Sequence, residues 1–514
     1  MSAAAPHLAS PGAGTIVVIG GGIGGLAAAL PLAAAGCPVV LLERQAVPGG
    51  KMRQVEGVDA GPTVLTLRWV FEALFASAGA ALEDHVTLHR QEILARHFWR
   101  DGARLDLHAD PEDSAQAVRA FAGAKGEAEF RAFSARAKRL FEAFREPMML
   151  TAEPDPLALT RAVLAEPRLI PDLMPWRSLD GLLRQSFSDP RLRQLFGRYA
   201  TYVGGDPARI PALYALIWEA EAAGVWAVEG GLSALARALA DLFVAHGGEI
   251  RHETEAVEIL GYSDGVRGVR TCRDEVISAD HILFNGDPRA LSTGRLGPLA
   301  ARALPRIATK PRALSAHVWA FQAAAHGPEL SHHNVFFRDD PAPEFKALAQ
   351  GQSAPDPTLY VCAEDRGLPG GSPGPERFEI ILNASPLART ASTDEDFDRC
   401  LTRTFAPLRD FGLRFDPEPG PRALTSPAMF DQLFPASAGS LYGQSPHGLL
   451  SALTRPRART RLKGLYLCGG GVHPGPGVPM AALSGRHAAA AILMDRVSPS
   501  PSRRMAMPGG ISTA

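Results

Sequence analysis

Residues 15–51 read TIVVIGGGIGGLAAALPLAAAGCPVVLLERQAVPGGK, and this stretch decides the fold. A β-branched run at residues 15–19 is typical of a buried parallel strand and leads directly into the glycine-rich residues 20–25. An alanine- and leucine-rich segment follows, and a second apolar run at residues 39–42 ends on Glu43. The pattern therefore predicts a strand, a glycine turn, a helix, a second strand and an acidic residue, in that order.

Each part of this pattern suits the binding of a dinucleotide. Gly20 permits a tight turn, Gly22 lets backbone N–H groups approach a pyrophosphate, and Gly25 allows the helix to pack closely on the strand. The phosphates would then lie at the positive end of the helix dipole. Glu43 follows Gly22 by roughly 20 residues, which is the spacing of the carboxylate that binds a ribose hydroxyl. We therefore predict a dinucleotide site in this stretch.

The same stretch has a second interpretation, as a membrane span or a signal peptide. No Asp, Glu, Lys or Arg precedes Glu43 in the chain. The many glycines and Pro31 argue against a span, and the lack of basic residues before the apolar run argues against a secretory signal. A strand, a glycine turn and a helix explain the apolar character without a membrane.

Length and composition narrow the class of protein. A chain of 514 residues is too long for one core and predicts two or three domains. The net charge of −1 gives no electrostatic footprint for nucleic acid. The five cysteines are odd in number and scattered, which indicates a reduced, cytoplasmic protein. The fifteen histidines show no metal-ligand spacing, so we expect no metal site.

Further turns, strands and helices follow the opening stretch. Glycine turns at residues 48–51 and 58–63 indicate a backbone pressed against a ligand, or else ordinary loop turns. Residues 96–108 predict a hairpin, and phenylalanines at helical spacing in residues 130–144 predict an amphipathic helix. The segment 147–176 is apolar but broken by prolines, so it either lies in a bilayer interface or forms short helices over a core.

A second glycine turn leads into a helix at residues 228–246, and strands follow as far as residue 284. These strands would extend the first sheet, which makes the nucleotide domain discontinuous. Residues 464–480 show the same order of elements as residues 15–51: a strand, a glycine turn and the start of a helix. Both ends of the chain thus look like cofactor contacts. A permanently held flavin dinucleotide explains two such ends better than NAD does, because a nicotinamide domain is usually one continuous unit.

The chain resembles a known family in these motifs. The opening pattern is similar to that of FAD-containing amine-oxidase-like flavoproteins. DAGPTVL at residues 59–65, VGGDP at 203–207, EGGLSALARAL at 229–239 and LYLCGGGVHPGPGVPMA at 465–481 resemble the bacterial phytoene-desaturase-type carotenoid desaturases. GPTVLTLRWVFEALF at 61–75 resembles the branch that acts on 1-hydroxy- or 1-methoxy-carotenoids, the 1-hydroxycarotenoid 3,4-desaturases or methoxyneurosporene dehydrogenases.

The resemblance implies an α/β fold with a discontinuous Rossmann-like FAD-binding domain of the amine-oxidase/glutathione-reductase type and a mixed α+β substrate domain. The FAD-binding domain would comprise residues 15–78, 228–290 and 440–495. The substrate domain would comprise residues 79–227 and 291–439, with a membrane-contact segment near 147–176. Residues 1–14 and 496–514 would be a flexible leader and a flexible tail.

The resemblance also implies a set of FAD-binding residues. Glycine turns would hold the pyrophosphate, Glu43 the adenosine ribose, and the start of the last helix would face the pyrimidine side of the flavin. The full set is Gly20, Gly22, Ile23, Gly24, Gly25, Glu43, Arg44, Gly50, Lys51, Gly61, Pro62, Thr63, Val257, Gly470, Gly471, Val478, Pro479 and Met480.

The reaction implied is the introduction of a C–C double bond beside a polyene, with hydride transfer to flavin. The electron acceptor would be a quinone or oxygen, and the enzyme would be cytoplasmic and contact the inner membrane peripherally. We name no catalytic base; His473 is the first candidate but is more often structural in such a loop. Trp69, Phe71, Trp218 and Trp226 either line an apolar tunnel or belong to the core.

Four other functions remain open at this point: a phytoene desaturase, a carotenoid isomerase, an amine oxidase and a non-enzymatic escort protein that binds prenyl lipids. An amine oxidase would be expected to carry an aromatic cage near the flavin, and residues 469–480 contain no aromatic side chain other than His473. The intact glycine turns disfavour the escort protein.

Overall fold

The computed structural model describes residues 14–304, 307, 309–371, 374–387, 396–448 and 450–497. The predicted leader, apart from Gly14, and the predicted tail beyond residue 497 lie outside the described residues. The strands are β1 (Ile16–Ile19), β2 (Val39–Leu42), β3 (Gln54–Val55), β4 (Val58–Asp59), β5 (Leu88–Arg90), β6 (Ile93–Phe98), β7 (Arg104–His108), β8 (Trp226–Val228), β9 (Glu249–Arg251), β10 (Ala256–Tyr262), β11 (Gly265–Thr271), β12 (Val276–Ser278), β13 (His281–Phe284), β14 (Ser315–His326), β15 (His333–Phe336), β16 (Leu359–Ala363), β17 (Glu376–Ala384), β18 (Arg414–Asp416), β19 (Leu424–Thr425) and β20 (Leu465–Leu467).

Helices connect and cover these strands, with short 3-10 segments between them. The helices are α1 (Ile23–Ala34), α2 (Trp69–Ala76), α3 (Pro111–Phe144), α4 (Pro156–Ala165), α5 (Leu169–Leu173), α6 (Leu179–Ser186), α7 (Pro190–Gly197), α8 (Ile217–Ala222), α9 (Leu232–Ala245), α10 (Pro288–Ser292), α11 (Gly297–Ala301), α12 (Ala342–Ala349), α13 (Phe397–Asp410), α14 (Pro427–Leu433) and α15 (Val478–Val497).

A five-stranded parallel sheet places the predicted glycine turns together. Its order is β20-β13-β1-β2-β9, so β1 lies at the centre and all four of its residues are buried. Each strand of this sheet runs parallel to the strand or strands beside it. These strands come from three separate parts of the sequence, which fall within the ranges 15–78, 228–290 and 440–495 predicted for the FAD-binding domain. The carboxyl ends of β1, β13 and β20 consequently meet at one edge, where ligands of open α/β sheets bind.

Helices α1, α9 and α15 pack together on this sheet. The approach of α1 and α15 is close, because a Cβ on Gly485 would lie 2.2 Å from the Gly24 carbonyl oxygen. Helix α1 continues through Pro31 and ends at Ala34, so the proline does not disturb the glycine turn at the other end of the helix.

A second, larger sheet carries the rest of the fold. Its order is β18-β14-β17-β16-β15-β6-β7, with β19 also pairing with β14. The pairings are antiparallel except between β15 and β6. The hairpin predicted at residues 96–108 is confirmed as β6 and β7. One side of this sheet packs a core of Trp319, Phe336 and Phe378.

Helix α3 begins earlier in the chain than the phenylalanine spacing predicted, and short helices follow it, which is one of the two forms predicted for residues 147–176. The helix begins at Pro111, capped by the Asp110 carboxylate, and it passes a kink at Gly123 before the phenylalanine-rich stretch. A π-helical segment, Arg145–Leu150, follows α3, and the prolines of residues 147–176 leave short helices after it, α4 and α5. Within the described ranges, no helix combines the length and the apolarity needed to cross a bilayer.

Candidate active site

The first and last glycine turns touch each other. A Cβ on Gly24, at the start of α1, would lie 2.8 Å from the Gly469 Cα and 2.6 Å from the Asn285 Oδ1. Real Cβ atoms do not approach other atoms so closely, so only glycine fits at Gly24. The sequence-based expectation that both ends of the chain serve one site therefore has a direct structural counterpart.

Asn285, which follows β13, holds these turns in place. Its side-chain amide donates to the Gly20 carbonyl at 3.0 Å and to the Gly22 carbonyl at 3.2 Å. The Cys468 thiol lies 3.4 Å from the Asn285 Oδ1 and donates to it. Asn285 thus joins the carboxyl ends of three strands. Sequence reasoning did not single out this residue, although an Asn directly after a buried strand at a nucleotide-binding edge was a usable signal.

Glu43, at the end of β2, lies beside the glycine turn as predicted for a ribose-binding carboxylate. It is only 4% exposed. Its Oε2 accepts from the Gly21 N–H at 2.7 Å, and its Oε1 accepts from the Gln45 N–H at 2.8 Å. Both oxygens keep lone pairs for further donors, because a carboxylate accepts about four hydrogen bonds. The arrangement suits a diol that donates to the carboxylate.

The second glycine turn lies against the first. The Gly49 N–H donates to the Gly21 carbonyl at 2.9 Å, and this places Gly50 next to Gly22. Gly61 lies against Lys51, the residue after Gly50, since a Cβ on Gly61 would be 1.8 Å from the Lys51 carbonyl oxygen. The residues from Gly22 through Lys51 to Gly61 therefore form successive backbone layers. Such layers can lie along an extended ligand without side chains intervening.

Lys51 places a buried amino group beside these layers. Its Nζ donates to the Leu441 carbonyl, and it lies 5.4 Å from the ring centroid of Phe434. Burial lowers the pKa of Lys51 to about 8, with Asp287 opposing this shift and Arg312 adding to it. An anionic ligand near the Nζ would favour the charged form of the lysine.

The last glycine turn ends at the start of α15. Val478, Pro479 and Met480 form the first turn of this helix, and Pro479 needs no hydrogen-bond partner for its nitrogen there. Gly470 and Gly471 precede them, and Gly471 lies 3.0 Å from where a Cβ on Gly443 would be. The free N–H groups of this helix start favour negative charge in front of them.

Three further predicted residues have a less direct position. Ile23 is the first residue of α1 and packs against its core. The Arg44 guanidinium donates to the Gln432 carbonyl at 3.2 Å rather than to the glycine turns. Val257 lies at a β-bulge, where the register passes from the Ala256–Thr271 pair to the Glu258–Arg270 pair. A bulge leaves backbone groups available, so the predicted contact of Val257 with adenine through its backbone stays a prediction.

A cavity of about 820 Å³ adjoins these layers. Its wall includes three predicted flavin-ring residues, Gly61, Pro62 and Thr63, and also Val478 from the start of α15. The inner wall adds aromatic and polar side chains from distant parts of the chain, which are Trp99, Arg198, Tyr202, Phe337, Tyr360 and Tyr442. Charged side chains at the rim, such as Arg184 and Asp339, are exposed. The cavity thus runs from solvent towards the glycine layers.

The four aromatic residues considered as tunnel linings do not line this cavity, so the core interpretation holds for them. Phe71 is fully buried in the core under α1, and Trp69 and Trp226 pack against the same core. Trp218 is 3% exposed, packs against Phe196 and donates to the Ser134 hydroxyl at 2.9 Å. Spacing in the sequence did not distinguish lining from core, because both require an apolar side chain.

Buried carboxyl groups lie on the sheet side of Gly61. Glu379 is fully buried, and burial together with the nearby carboxyls of Glu364 and Asp59 raises its pKa well above the ordinary range. Burial and Asp59 raise the pKa of Glu364 to about 8, although Arg377 lies 3.3 Å away and opposes the shift. Desolvation outweighs the ion pair here, so Glu364 is mainly protonated at neutral pH.

His473, the first candidate for a base, has a structural role. Its Nε2 lies 2.9 Å from the Thr151 carbonyl, and its ring stacks on that of His487. Burial lowers the pKa of His473, and the residue is not part of the cavity wall. It joins the loop before α15 to the segment after α3.

Comparison with protein families matches residues 23–493 to the flavin containing amine oxidoreductases. The chain belongs to this flavoprotein family. Curated relatives in the family include the hydroxyneurosporene desaturase of Cereibacter sphaeroides, which is 54% identical over 487 residues, or 94% of this chain and 98% of the relative. The hydroxyneurosporene desaturase of Rhodobacter capsulatus is 47% identical over 94% of this chain and 98% of the relative.

Solved structures of the flavoprotein family have the same fold. Wild-type putrescine oxidase bound to putrescine aligns with a TM-score of 0.58 and 14% identity, over 94% of this chain and 99% of that chain. At this identity the likeness concerns the fold alone. It agrees with the predicted α/β fold of the amine-oxidase type.

The described residues fit FAD, the cofactor of this family. The glycine turn leads into the start of α1, where backbone N–H groups would hold a pyrophosphate, and Glu43 is available for a ribose. Lys51 is a buried amino group beside the backbone layers, and burial lowers its pKa to about 8. Val478, the first residue of α15, lies on the cavity wall, and a helix start favours negative charge in front of it. Together, these features suit a long anionic cofactor that ends in a planar ring system.

Proposed function

We propose that this chain is an FAD-dependent desaturase that introduces a C–C double bond at the 3,4 position of 1-hydroxy- or 1-methoxy-carotenoids. The main support is the identity of 54% to a hydroxyneurosporene desaturase along nearly the whole of both chains. The cavity adds chemical support, because it borders the predicted flavin-ring residues and holds aromatic side chains. A polyene packs favourably against such rings.

Bound FAD would supply the two-electron acceptor, which takes a hydride from one carbon while a proton leaves the neighbouring carbon. The chain itself positions the polyene and keeps water away from it. Thr63 and Val478 lie on the cavity wall where the reacting carbons would have to come. The start of α15 favours the negative charge that the reduced cofactor gains.

The wall near the predicted flavin ring offers hydrogen-bond donors rather than a base. Tyr360 and Tyr442 line it, and burial raises the pKa of each above its ordinary value, to about 12 for Tyr442. Both hydroxyls therefore stay protonated at neutral pH. A proton next to a cation that is delocalised over a polyene is acidic, so we infer that it leaves without a dedicated strong base. A quinone or oxygen would then reoxidise the flavin.

Peripheral contact with a membrane is part of the proposal, since the substrate is a lipid. The segment 147–176 contains several of the most exposed large apolar side chains of the described residues: Leu157 at 68%, Leu164 at 69%, Ile170 at 50% and Trp176 at 80%. Exposed Arg161 and Arg168 lie among them, together with exposed Glu153, Asp155 and Glu166. The apolar side chains therefore carry the proposed contact, since such groups are typical of surfaces that rest in a bilayer interface.

Vesicle binding tests this contact. We expect Leu164→Ser with Trp176→Ser to lower the partition of the protein onto vesicles that contain anionic lipid by roughly 10-fold, because two apolar side chains no longer enter the interface. The matched control is Val244→Ser with Met494→Ser, which removes two side chains that are 51% and 63% exposed elsewhere. Equal partition of both variants and the wild type would refute the contact.

A substrate assay tests the proposed reaction. Purified protein with lipid and a quinone receives 1-hydroxyneurosporene, and the absorption maximum is followed. A shift to longer wavelength, with a mass loss of two hydrogens, is the expected result. A shift with phytoene but not with the hydroxylated substrate would move the assignment to phytoene desaturation. Rearranged double bonds without mass loss would indicate an isomerase.

A further inference from the structure

A buried polar cluster with an arginine at its centre forms part of the wall of the cavity. It comprises Arg198, Tyr199, Tyr202 and Glu221, and we call it the arginine cluster. Arg198 and Tyr202 line the cavity, whereas Tyr199 and Glu221 lie behind them. The Arg198 side chain is only 7% exposed and that of Glu221 only 3%. An arginine so deep in a cavity proposed for a lipid requires an explanation.

Glu221 balances the charge of the cluster but does not use up the donors of Arg198. The hydroxyls of Tyr199 and Tyr202 donate to the two carboxylate oxygens of Glu221, each at 2.7 Å. The Nη1 of Arg198 donates to the Tyr202 hydroxyl at 3.0 Å. The Nη2 lies 3.9 Å from the Glu221 Oε1, which is close enough for charge attraction but too long for a hydrogen bond.

Two nitrogens of the Arg198 guanidinium therefore lack an acceptor. Among the described residues, Nε and Nη2 have no hydrogen-bond partner and are themselves buried, while Nη1 keeps a second N–H beside the one that it donates to Tyr202. Burial lowers the pKa of Arg198, but Tyr202 and Glu221 outweigh burial, so the pKa is raised and the group stays charged. A buried cationic donor without an acceptor is costly, and the cost is removed when a ligand supplies an oxygen.

The arginine cluster is connected to the predicted flavin-ring wall. The Tyr360 hydroxyl lies 2.6 Å from the His333 Nδ1, and Tyr360 and Thr63 both line the cavity. Tyr360 and Tyr202 are near enough for their hydroxyls to interact electrostatically. Arg198 and the predicted flavin-ring residue Thr63 thus lie on the wall of the same cavity.

In the proposed substrate, the oxygen is on C1 and the reacting bond joins C3 and C4. Only two carbon–carbon bonds separate C1 from C3, so the oxygen must lie close to the reacting carbons. A guanidinium donates only, and both a hydroxyl and a methoxy oxygen accept. One arginine can therefore bind either group, whereas a carboxylate could bind only the hydroxyl.

We propose that Arg198, oriented by Tyr202 and Glu221, donates a hydrogen bond to the C1 oxygen and selects carotenoids with a 1-hydroxy or 1-methoxy end over hydrocarbon ends. This inference rests on the proposed function. A hydrocarbon end would cover the guanidinium with methyl groups and leave its donors unpaired. A site that is built to bond a substrate oxygen discriminates strongly against the analogue without it.

The test compares kcat/KM for 1-hydroxyneurosporene and for 1,2-dihydroneurosporene, the hydrocarbon that has the same saturated C1–C2 bond but no oxygen. The wild type is expected to prefer the hydroxylated substrate. In Arg198→Met we expect the ratio of the two values to fall by roughly 10- to 100-fold, the range typical of a lost hydrogen bond to a charged group. The fall should come from the hydroxylated substrate, while the hydrocarbon is turned over as well as before or better. Arg198→Lys should restore part of the ratio.

Arg96→Met is the matched control. Arg96 is equally buried, at 6% side-chain exposure, and it loses a two-point ion pair with Asp106 outside the cavity. The loss of the Arg96 side chain should lower the free energy of unfolding but leave the ratio of the two kcat/KM values unchanged. Because Arg198→Met leaves Glu221 without a countercharge, Arg198→Met with Glu221→Gln is measured alongside, and flavin absorbance reports folding in every variant.

The outcomes separate the inference from the proposed function. If the wild type converts no 1-hydroxycarotenoid at all, the proposed function fails. If it converts 1-hydroxyneurosporene but Arg198→Met with Glu221→Gln keeps the wild-type ratio, the inference is overturned and the function stands. Equal turnover of both substrates by the wild type also overturns the inference. A ratio that falls in the Arg198 variants and not in Arg96→Met supports it.

Discussion

Asn285 provides a test of whether the two glycine turns form one cofactor site. Its side-chain amide donates to the Gly20 and Gly22 carbonyls at 3.0 and 3.2 Å, and its Oδ1 accepts from the Cys468 thiol. Replacing Asn285 by Ala removes all three contacts without adding bulk. The turn that should hold the pyrophosphate would then lose its connection to β13 and β20.

The size of the effect follows from these contacts. Each amide-to-carbonyl hydrogen bond contributes about 1 kcal/mol net, so the loss of two lowers the free energy of unfolding by about 2 kcal/mol. If the turn loosens to the same extent in the apo-protein, FAD must reorder it on binding. A cost of about 2 kcal/mol for that step raises the Kd for FAD by about 30-fold. Asn285→Asp should be worse, because a carboxylate faces two carbonyls and cannot donate.

The assay measures two quantities for each variant. FAD affinity is obtained by titrating the apo-protein, and the free energy of unfolding by denaturant titration. Asn334→Ala is the matched control, because Asn334 is fully buried in the second sheet and its amide donates to the Ser331 and Val361 carbonyls at 2.7 and 3.1 Å. It should lose similar stability, with an unchanged intrinsic Kd for FAD.

The reasoning would be refuted by equal effects of the two variants on FAD affinity. An Asn285→Ala protein that loses stability but binds FAD as tightly as the wild type would show that the amide supports only the sheet. In that case the contact between the two turns would not contribute to the cofactor site.

Two further predictions concern buried carboxyl groups. Glu43→Ala should weaken FAD retention by roughly 10-fold, since a charged acceptor for ribose hydroxyls is lost. Glu43→Gln should retain FAD better than Glu43→Ala but less well than the wild type. Unchanged flavin absorbance in Glu43→Ala would exclude a ribose contact. Glu364 has a folded-state pKa of about 8 against an ordinary value of 4.5. Its contribution to stability is therefore complete below pH 4.5 and is lost as the pH rises through 8. Between pH 6 and pH 9, we expect the free energy of unfolding of the wild type, measured by denaturant titration, to fall by on the order of 2 kcal/mol more than that of Glu364→Gln. Parallel pH profiles would contradict the raised pKa.

The local pattern at residues 15–51 was sufficient to predict the first strand, the turn, the helix and the position of Glu43. Local patterns succeed there because the requirements are local: a buried strand needs β-branched residues, and a tight turn needs glycine. The same holds for the hairpin of β6 and β7 and for the start of α15. Prolines in 147–176 likewise excluded a span from the sequence alone.

The sequence did not separate cavity wall from core. Trp218 and Phe71 satisfy the same hydrophobic requirement as a lining residue, and only their packing shows that they are buried in the core. The beginning of α3 was missed for a similar reason. Its first half is polar and lacks the phenylalanine spacing, and the Asp110 cap stabilises it instead.

By itself, the sequence determined the parallel sheet, the glycine turns and the acid at the end of β2, because each depends on neighbours in the chain. The tertiary structure alone decided how the site is completed. Asn285 reaches the turn at Gly20 only because β13 pairs with β1, and Gly24 meets Gly469 only because α1 and α15 pack closely. The position of Arg198 in the cavity depends on residues more than a hundred positions away, and no local pattern encodes such contacts.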